Sequence, residues 1–199
     1  MEIGYSGRQI TITEKYTTLL DMFVLNFVNI LPGMTSYVIV SGYVAILFGR
    51  SRGTEDIDIL IPHMEKETFD TLHRILIEGG YDFLNAENED RLYDMLVNRL
   101  GIRIAQKNQV IPNIELKFLK DDIDRCVLRD RLYVRIAEGD LCISPLELQI
   151  AYKLFLGSEK DIEDALYLWE IFKDHLDRDC LKSMMKQFVV RGDEYGIIL

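Results

Sequence analysis

The sequence predicts an α/β protein: a small mixed sheet flanked by helices, followed by a helical C-terminal module. Three observations predict it. The runs Tyr37-Val38-Ile39-Val40 and Asp56-Ile57-Asp58-Ile59-Leu60-Ile61 are short and rich in β-branched residues, which suit a pleated, half-buried surface. Between and beyond them, apolar residues recur at helical spacing. From Ser144-Pro145 onward the helical period holds to the end. A module boundary is therefore expected near residue 143, with 1–143 as the core and 144–199 as the helical module.

Taken in order, residues 13–30 read as a helix. Thr13 is its expected N-cap, Leu19, Leu20, Phe23, Phe27 and Ile30 form its apolar stripe, and Pro32-Gly33 ends it. Residues 37–40 are a buried strand broken by Ser41-Gly42, after which Tyr43–Phe48 can form a short helix. Gly49–Thr54 is a polar loop, and 56–61 is a strand stopped by Pro62. Residues 64–78 form an amphipathic helix closed by Gly79-Gly80. Strands are expected at 81–84, 102–105, 114–119 and 132–137, with a helix at 89–100 ending at Gly101. Three further helices are expected at 145–156, 159–173 and about 178–190. Ser144 reads as an N-cap with Pro145 in the first helical position.

Composition narrows the function. At 48% hydrophobic and 28% charged residues, the chain is neither disordered nor fibrous. It holds no apolar run long enough for a membrane span, and its first residues show no basic segment leading into an apolar run, so no signal peptide is expected. Cys126, Cys142 and Cys180 lie far apart, as do His63, His73 and His175. This excludes a zinc-type spacing and fits a reducing, cytoplasmic setting. A net charge of −10 argues against a general nucleic-acid coat, whose affinity rests on many phosphate contacts.

The chemistry-bearing residues cluster in one stretch. Asp56 and Asp58 are two apart on a strand, so their side chains share a face. Two carboxylates so placed repel each other unless a cation or hydrogen bonds offset the repulsion. Mg²⁺ commonly uses one or two carboxylates plus substrate phosphates. The bland alternative is a polar sheet edge. Upstream, the strand running into Ser41-Gly42 and a short helix offers free backbone N–H groups suited to phosphate, and Gly42 permits close approach; read for structure alone, it is a tight turn. Arg50-Ser51-Arg52 adds cations and hydroxyls suited to a triphosphate, or simply an exposed loop.

These residues resemble the nucleotidyltransferase superfamily related to DNA polymerase beta. Its mark is an apolar strand, Gly-Gly or Gly-Ser, a spacer of about nine to thirteen residues, then Asp, an apolar residue and Asp on the next strand. Here Val40-Ser41-Gly42 is followed by thirteen residues and then Asp56-Ile57-Asp58. The stretch Arg52-Gly53-Thr54-Glu55-Asp56-Ile57-Asp58 is similar to the form found in small prokaryotic members. Ser41 stands where the first Gly is usual. The resemblance implies a minimal nucleotidyltransferase fold, Mg²⁺ or Mn²⁺ as cofactor and a third carboxylate on a later strand. In Ile114-Glu115-Leu116-Lys117-Phe118, alternation puts Glu115 and Lys117 on the face opposite the apolar residues, and Glu115 is the candidate. A solvent-facing glutamate is its bland reading. Asp56, Asp58 and Glu115 are thus the candidate metal-ligating and catalytic residues, and Ser41, Gly42, Arg50 and Arg52 the candidate nucleotide contacts.

Ser144-Pro145-Leu146-Glu147, Lys153 and Lys160-Asp161-Ile162-Glu163-Asp164 look like the corresponding region of abortive-infection, toxin–antitoxin type nucleotidyltransferases. That resemblance adds Lys153, Asp161 and Asp164 to the nucleotide site. It implies a nucleoside triphosphate as substrate and a partner antitoxin, and it leaves tRNA, a protein hydroxyl and a small molecule open as acceptors. Asp161 and Asp164, three apart on a helix, share a face; as structure alone, Lys153 is a surface lysine and Asp161 a helix N-terminal charge. A second class of function stays open: a degenerate member of the fold that binds a nucleotide or partner protein without turnover.

Overall fold

The computed structural model describes residues 1–198. The chain opens with an antiparallel hairpin, β1 (Glu2–Ser6) and β2 (Gln9–Thr13), which bends through Gly7 at positive φ. Ile10 and Ile12 alternate into the core, so this stretch is a strand and not the start of a helix. The first helix, α1 (Leu19–Val28), begins at a capping box: Thr18 Oγ1 accepts from Asp21 N, and the Asp21 carboxylate accepts from Thr18 N. The helix expected from residue 13 therefore starts six residues later, and Thr18, not Thr13, is its cap.

The next elements follow the sequence reading closely. They are β3 (Val38–Ile39), α2 (Gly42–Leu47), β4 (Asp56–Ile61), α3 (Lys66–Glu78), β5 (Tyr81–Phe83), α4 (Glu89–Val97), β6 (Ile102–Gln106) and β7 (Asn113–Phe118). A helix not foreseen in the sequence, α5 (Asp122–Arg129), follows; its cap Asp121 accepts from Asp124 N. It precedes the hairpin β8 (Leu132–Ile136) and β9 (Gly139–Ile143). The C-terminal helices are α6 (Leu146–Leu156), α7 (Glu159–Phe172) and α8 (Arg178–Gln187), followed by a 3₁₀ turn at Gly192–Tyr195. Pro145 occupies the cap position of α6, and Ser144 does not cap it. The Ser144 hydroxyl instead donates to Gln149 Oε1 at 2.9 Å.

Among the described residues, nine strands form one mixed sheet in the order β1-β2-β8-β9-β3-β4-β7-β6-β5. The sheet is larger than the sequence suggested because both hairpins add to one edge. At its centre β4 runs parallel to β7 and antiparallel to β3. The register aligns Asp56 with Asn113 and Asp58 with Glu115. Asn113 Nδ2 fixes this register by donating to the Glu55 carbonyl.

One face of the central strands carries Ile57, Ile59, Ile114 and Leu116 into the main core. The same core takes Leu146, Ile150 and Leu154 from α6 and Ala165, Leu168 and Phe172 from α7. Phe48, at the end of α2, meets Phe172 edge to face at 4.7 Å between ring centroids. The helices from residue 146 onward are therefore packed on the sheet through shared apolar burial. The opposite face of β4 and β7 carries Asp56, Asp58, Glu115 and Lys117, while Leu60 joins Val38, Val127 of α5 and Leu148 of α6 in a second, smaller apolar cluster. Among the described residues, no helix is long and apolar enough to cross a membrane.

Candidate active site

The site begins where β3 ends. To pass from strand to α2 the chain turns at Ser41, which has φ 67° and ψ −143°. A residue with a Cβ rarely adopts this conformation, which costs of order 1–3 kcal/mol and persists only where the surroundings hold it. Gln149 of α6 does the holding. Its Nε2 donates to the Ser41 carbonyl at 2.6 Å, and its Oε1 accepts from Ser41 N at 3.4 Å and from Ser144 Oγ at 2.9 Å. At Gly42, a Cβ would come within 2.9 Å of an Arg52 guanidinium nitrogen. Glycine there lets Arg52 lie directly over the turn.

Three carboxylates share the polar face of the sheet. Asp56 and Asp58 project from β4, and Glu115 projects from β7 beside Asp58 in the parallel register. The sequence reading had Glu115 on this face, and it lies there. Between Asp58 and Glu115 stands Lys117, two residues along β7. Its ammonium is 2.7 Å from Asp58 Oδ1 and 2.9 Å from Glu115 Oε2. Burial alone would lower the Lys117 pKa, but the Asp58 and Glu115 carboxylates outweigh it and hold the pKa above its ordinary value. The Asp56 carboxylate takes no ion pair among the described residues. Gly101, just before β6, presses on this pair: a Cβ there would be 2.7 Å from Glu115 Oε1 and 3.0 Å from Lys117 Cε.

The remaining candidates meet on α7. Asp164 is fully buried and receives Arg50, Arg52 and Lys153 together, Lys153 Nζ at 2.7 Å. Lys153 Nζ also donates to Asp161 Oδ1 at 3.0 Å, and Arg50 reaches Glu163. Arg50, Arg52 and Lys153, expected from the sequence as nucleotide contacts, do converge, but on a carboxylate. Lys153 is not a surface lysine: it is 2% exposed. Burial lowers its pKa and outweighs Asp161, while Arg52 and Arg50 push in the same direction as burial. The Asp161 carboxyl, raised by burial, is held below its ordinary value by Ser158 and Lys153.

A cleft of about 360 Å³ joins the two groups. Ser41, Asp58, Lys117, Gln149 and Lys153 line it, with Tyr152, Leu148 and Leu60 as apolar walls. The structure thus brings Ser41, Asp58 and Lys153 to one cavity. Glu115 reaches it through Lys117, Asp56 stands next along β4, and Arg50, Arg52, Asp161 and Asp164 form the ionic layer behind Lys153. Lys117 and Gln149 are polar groups in the cleft to which the sequence reading assigned no role. Lys117 was legible as the second polar residue on the Glu115 face. Nothing local marked Gln149, whose partner Ser41 is 108 residues away.

A divalent ion can be tested against these side chains. Among the described residues, no three His, Cys, Asp or Glu side chains gather tightly enough to hold one as they stand. The donor chemistry nevertheless fits a hard cation: the oxygens are carboxylate, and an ammonium already bridges two of them. Asp56 and Asp58 would hold such an ion, and Glu115 would join only where Lys117 leaves it.

No family model matches the chain, and no curated protein matches it in sequence. Solved structures do match it in shape. The chain shares its fold with solved structures of nucleotidyltransferase and nucleotidyltransferase-like proteins. It is similar to an antigenic nucleotidyltransferase-like protein from Paracoccidioides brasiliensis, with a TM-score of 0.52 and 16% identity over 83% of this chain and 84% of that one. It is also similar to ANT(2'')-Ia in complex with adenylyl-2''-tobramycin, with a TM-score of 0.52 and 12% identity over 86% and 98% of the two chains. The solution structure of the antibiotic-resistance factor ANT(2'')-Ia gives a TM-score of 0.51 and 11% identity over 91% and 95%.

Proposed function

We propose that the chain is a metal-dependent nucleotidyltransferase, moving a nucleoside monophosphate from a nucleoside triphosphate to a hydroxyl acceptor. The observation that carries this reading is the shared face of Asp56, Asp58 and Glu115, opening on a cleft that also holds the Ser41 turn and Lys153. In the reaction, an acceptor oxygen bonds to the α-phosphorus, the bond to pyrophosphate breaks, and the hydroxyl proton is lost to water. Bound Mg²⁺ or Mn²⁺ would supply positive charge to the phosphates and acidify the acceptor hydroxyl.

The chain's own residues contribute position and charge. Asp56 and Asp58 would hold the ion. Arg52, lying over Gly42, can reach phosphate at the turn and grip it bidentately. Lys153 offers a point charge from inside the cleft. Because Asp164 already pairs with both, each shares its charge between the protein and the triphosphate. Among the acceptors that the sequence resemblance leaves open, we favour a tRNA or protein hydroxyl, with an antitoxin as partner, in a cytoplasmic setting. The tobramycin adduct named for ANT(2'')-Ia makes a small-molecule hydroxyl the alternative acceptor.

A second reading, a non-catalytic binding member of the fold, is favoured by one observation: Lys117 already neutralises Asp58 and Glu115. Thermal melting with each nucleoside triphosphate plus Mg²⁺ or Mn²⁺ tests the first reading. Metal-dependent stabilisation of the wild type, lost in Asp56→Ala, supports it. Stabilisation by nucleotide alone, unchanged in Asp56→Ala, favours the binding module.

A further inference from the structure

Lys117 is a cation built into the row of carboxylates, and its position bears on how many exchangeable ions the site can hold. Asp58 sits at the centre of the row, with Asp56 next to it along β4 and Glu115 next to it across to β7. This geometry offers two places for a cation, one on each side of Asp58. Lys117 takes the second, with its ammonium 2.7 Å from Asp58 and 2.9 Å from Glu115. The first, between Asp56 and Asp58, has no cation among the described residues.

Lys117 is also confined there. A Cβ added at Gly101 would lie 2.8 Å from Glu115 Cγ and 3.0 Å from Lys117 Cε, so the glycine leaves the room that this pair fills. On the cleft side, which Lys117 lines, Asp58 holds the ammonium. A divalent ion entering between Asp58 and Glu115 would have to expel a lysine that carries both of its salt links in a half-buried site. An ion entering beside Asp56 breaks no salt bridge among the described residues, since Asp56 makes none.

We propose that Lys117 substitutes for the second metal ion of this site, so that the chain binds one divalent cation, held by Asp56 and Asp58, and not two. The proposal rests on the reading of this face as a metal-dependent nucleotide site. Lys117 acts here as a positioning residue: it fixes Asp58 and Glu115 and excludes an ion from the space between them.

The test counts bound Mn²⁺ per chain by electron paramagnetic resonance, in the presence of a non-hydrolysable nucleoside triphosphate analogue. The measurement is made on wild type, Lys117→Met and Lys117→Gln, the last keeping a neutral donor should the methionine variant unfold. The expected result is one Mn²⁺ in the wild type and two in a Lys117 variant that melts cooperatively. Two Mn²⁺ in the wild type, or still one in both variants, overturns the proposal and leaves the nucleotidyltransferase reading intact. No Mn²⁺ in the wild type or in either variant overturns both.

Discussion

Gln149 grips the main chain of Ser41 at both its N–H and its carbonyl, across 108 residues of sequence. It thereby holds α6 against the turn from which α2 and the cleft are built. The turn is the strained element of the site, and Gln149 is what keeps it formed.

A double-mutant cycle checks this pairing. Ser41→Gly removes the cost of the positive φ and should stabilise the fold by about 1 kcal/mol in urea denaturation. Gln149→Ala leaves the half-buried main-chain groups of Ser41 and the buried Ser144 hydroxyl without their partner and should cost about 1–3 kcal/mol. In the Ser41→Gly background that loss should shrink, giving a coupling above about 0.5 kcal/mol. Strict additivity would show that the clamp and the strained turn are independent.

Asp164 gathers three cations in the interior, and its removal should be felt as instability before it is felt as lost binding. Asp164→Asn leaves Arg52 without an ion-pair partner and Lys153 and Arg50 with one each, and should cost about 3–5 kcal/mol, read from chemical denaturation. Arg52→Ala leaves Asp164 with two partners, so the fold should survive while triphosphate affinity weakens by about 1–3 kcal/mol in calorimetry. Affinity unchanged in Arg52→Ala would assign Arg52 to the ionic layer alone.

The fold was legible where the pattern was local. The strands holding Asp56 and Glu115 announced themselves through alternating isoleucine and leucine. The helices of residues 145–187 announced themselves through a sustained helical period. What failed had a physical reason. Ile10 and Ile12 form only two steps of alternation, and a helical reading from Thr13 overran the strand that ends there. Asp121–Asp124 is so polar that α5 resembles a loop until its cap is seen. In the site, residue types foretold the shared face of Asp56, Asp58 and Glu115. The pairing of Arg50, Arg52 and Lys153 with Asp164 arises only when α6 and α7 fold back on the loop before β4. No spacing encodes that. The resemblance had assigned Asp164 to nucleotide; its side chain pairs with Arg50, Arg52 and Lys153 inside the protein.

Stability should depend on acid through Asp21. This buried carboxylate accepts from Lys15 at 2.6 Å, from Thr18 N at 2.9 Å and from the Tyr43 hydroxyl at 2.7 Å, tying α1 to α2. Burial alone would raise its pKa, but Lys15, Thr18 and Tyr43 together hold it below the ordinary value. A lowered folded pKa gives stability that is present above the unfolded value of about 3.9 and is lost as pH falls through the folded one. Asp21→Asn should therefore cost about 3 kcal/mol at neutral pH. The gap between variant and wild type should narrow below about pH 4. A gap that stays constant down to acid pH would show that Asp21 is not ionised in the folded protein.

The most direct test of the central claim is covalent transfer of nucleotide. Each nucleoside triphosphate, labelled at the α-phosphate, is incubated with the protein, Mg²⁺ or Mn²⁺, and separate tRNA, protein and small-molecule acceptor fractions. For the wild type, one nucleotide should leave label on one acceptor class and release pyrophosphate. Asp56→Ala, folded by its melting curve, should leave none. A wild type that transfers no label with any nucleotide, metal or acceptor fraction, and so matches Asp56→Ala throughout, would contradict the account and make the carboxylate face a relic of the fold.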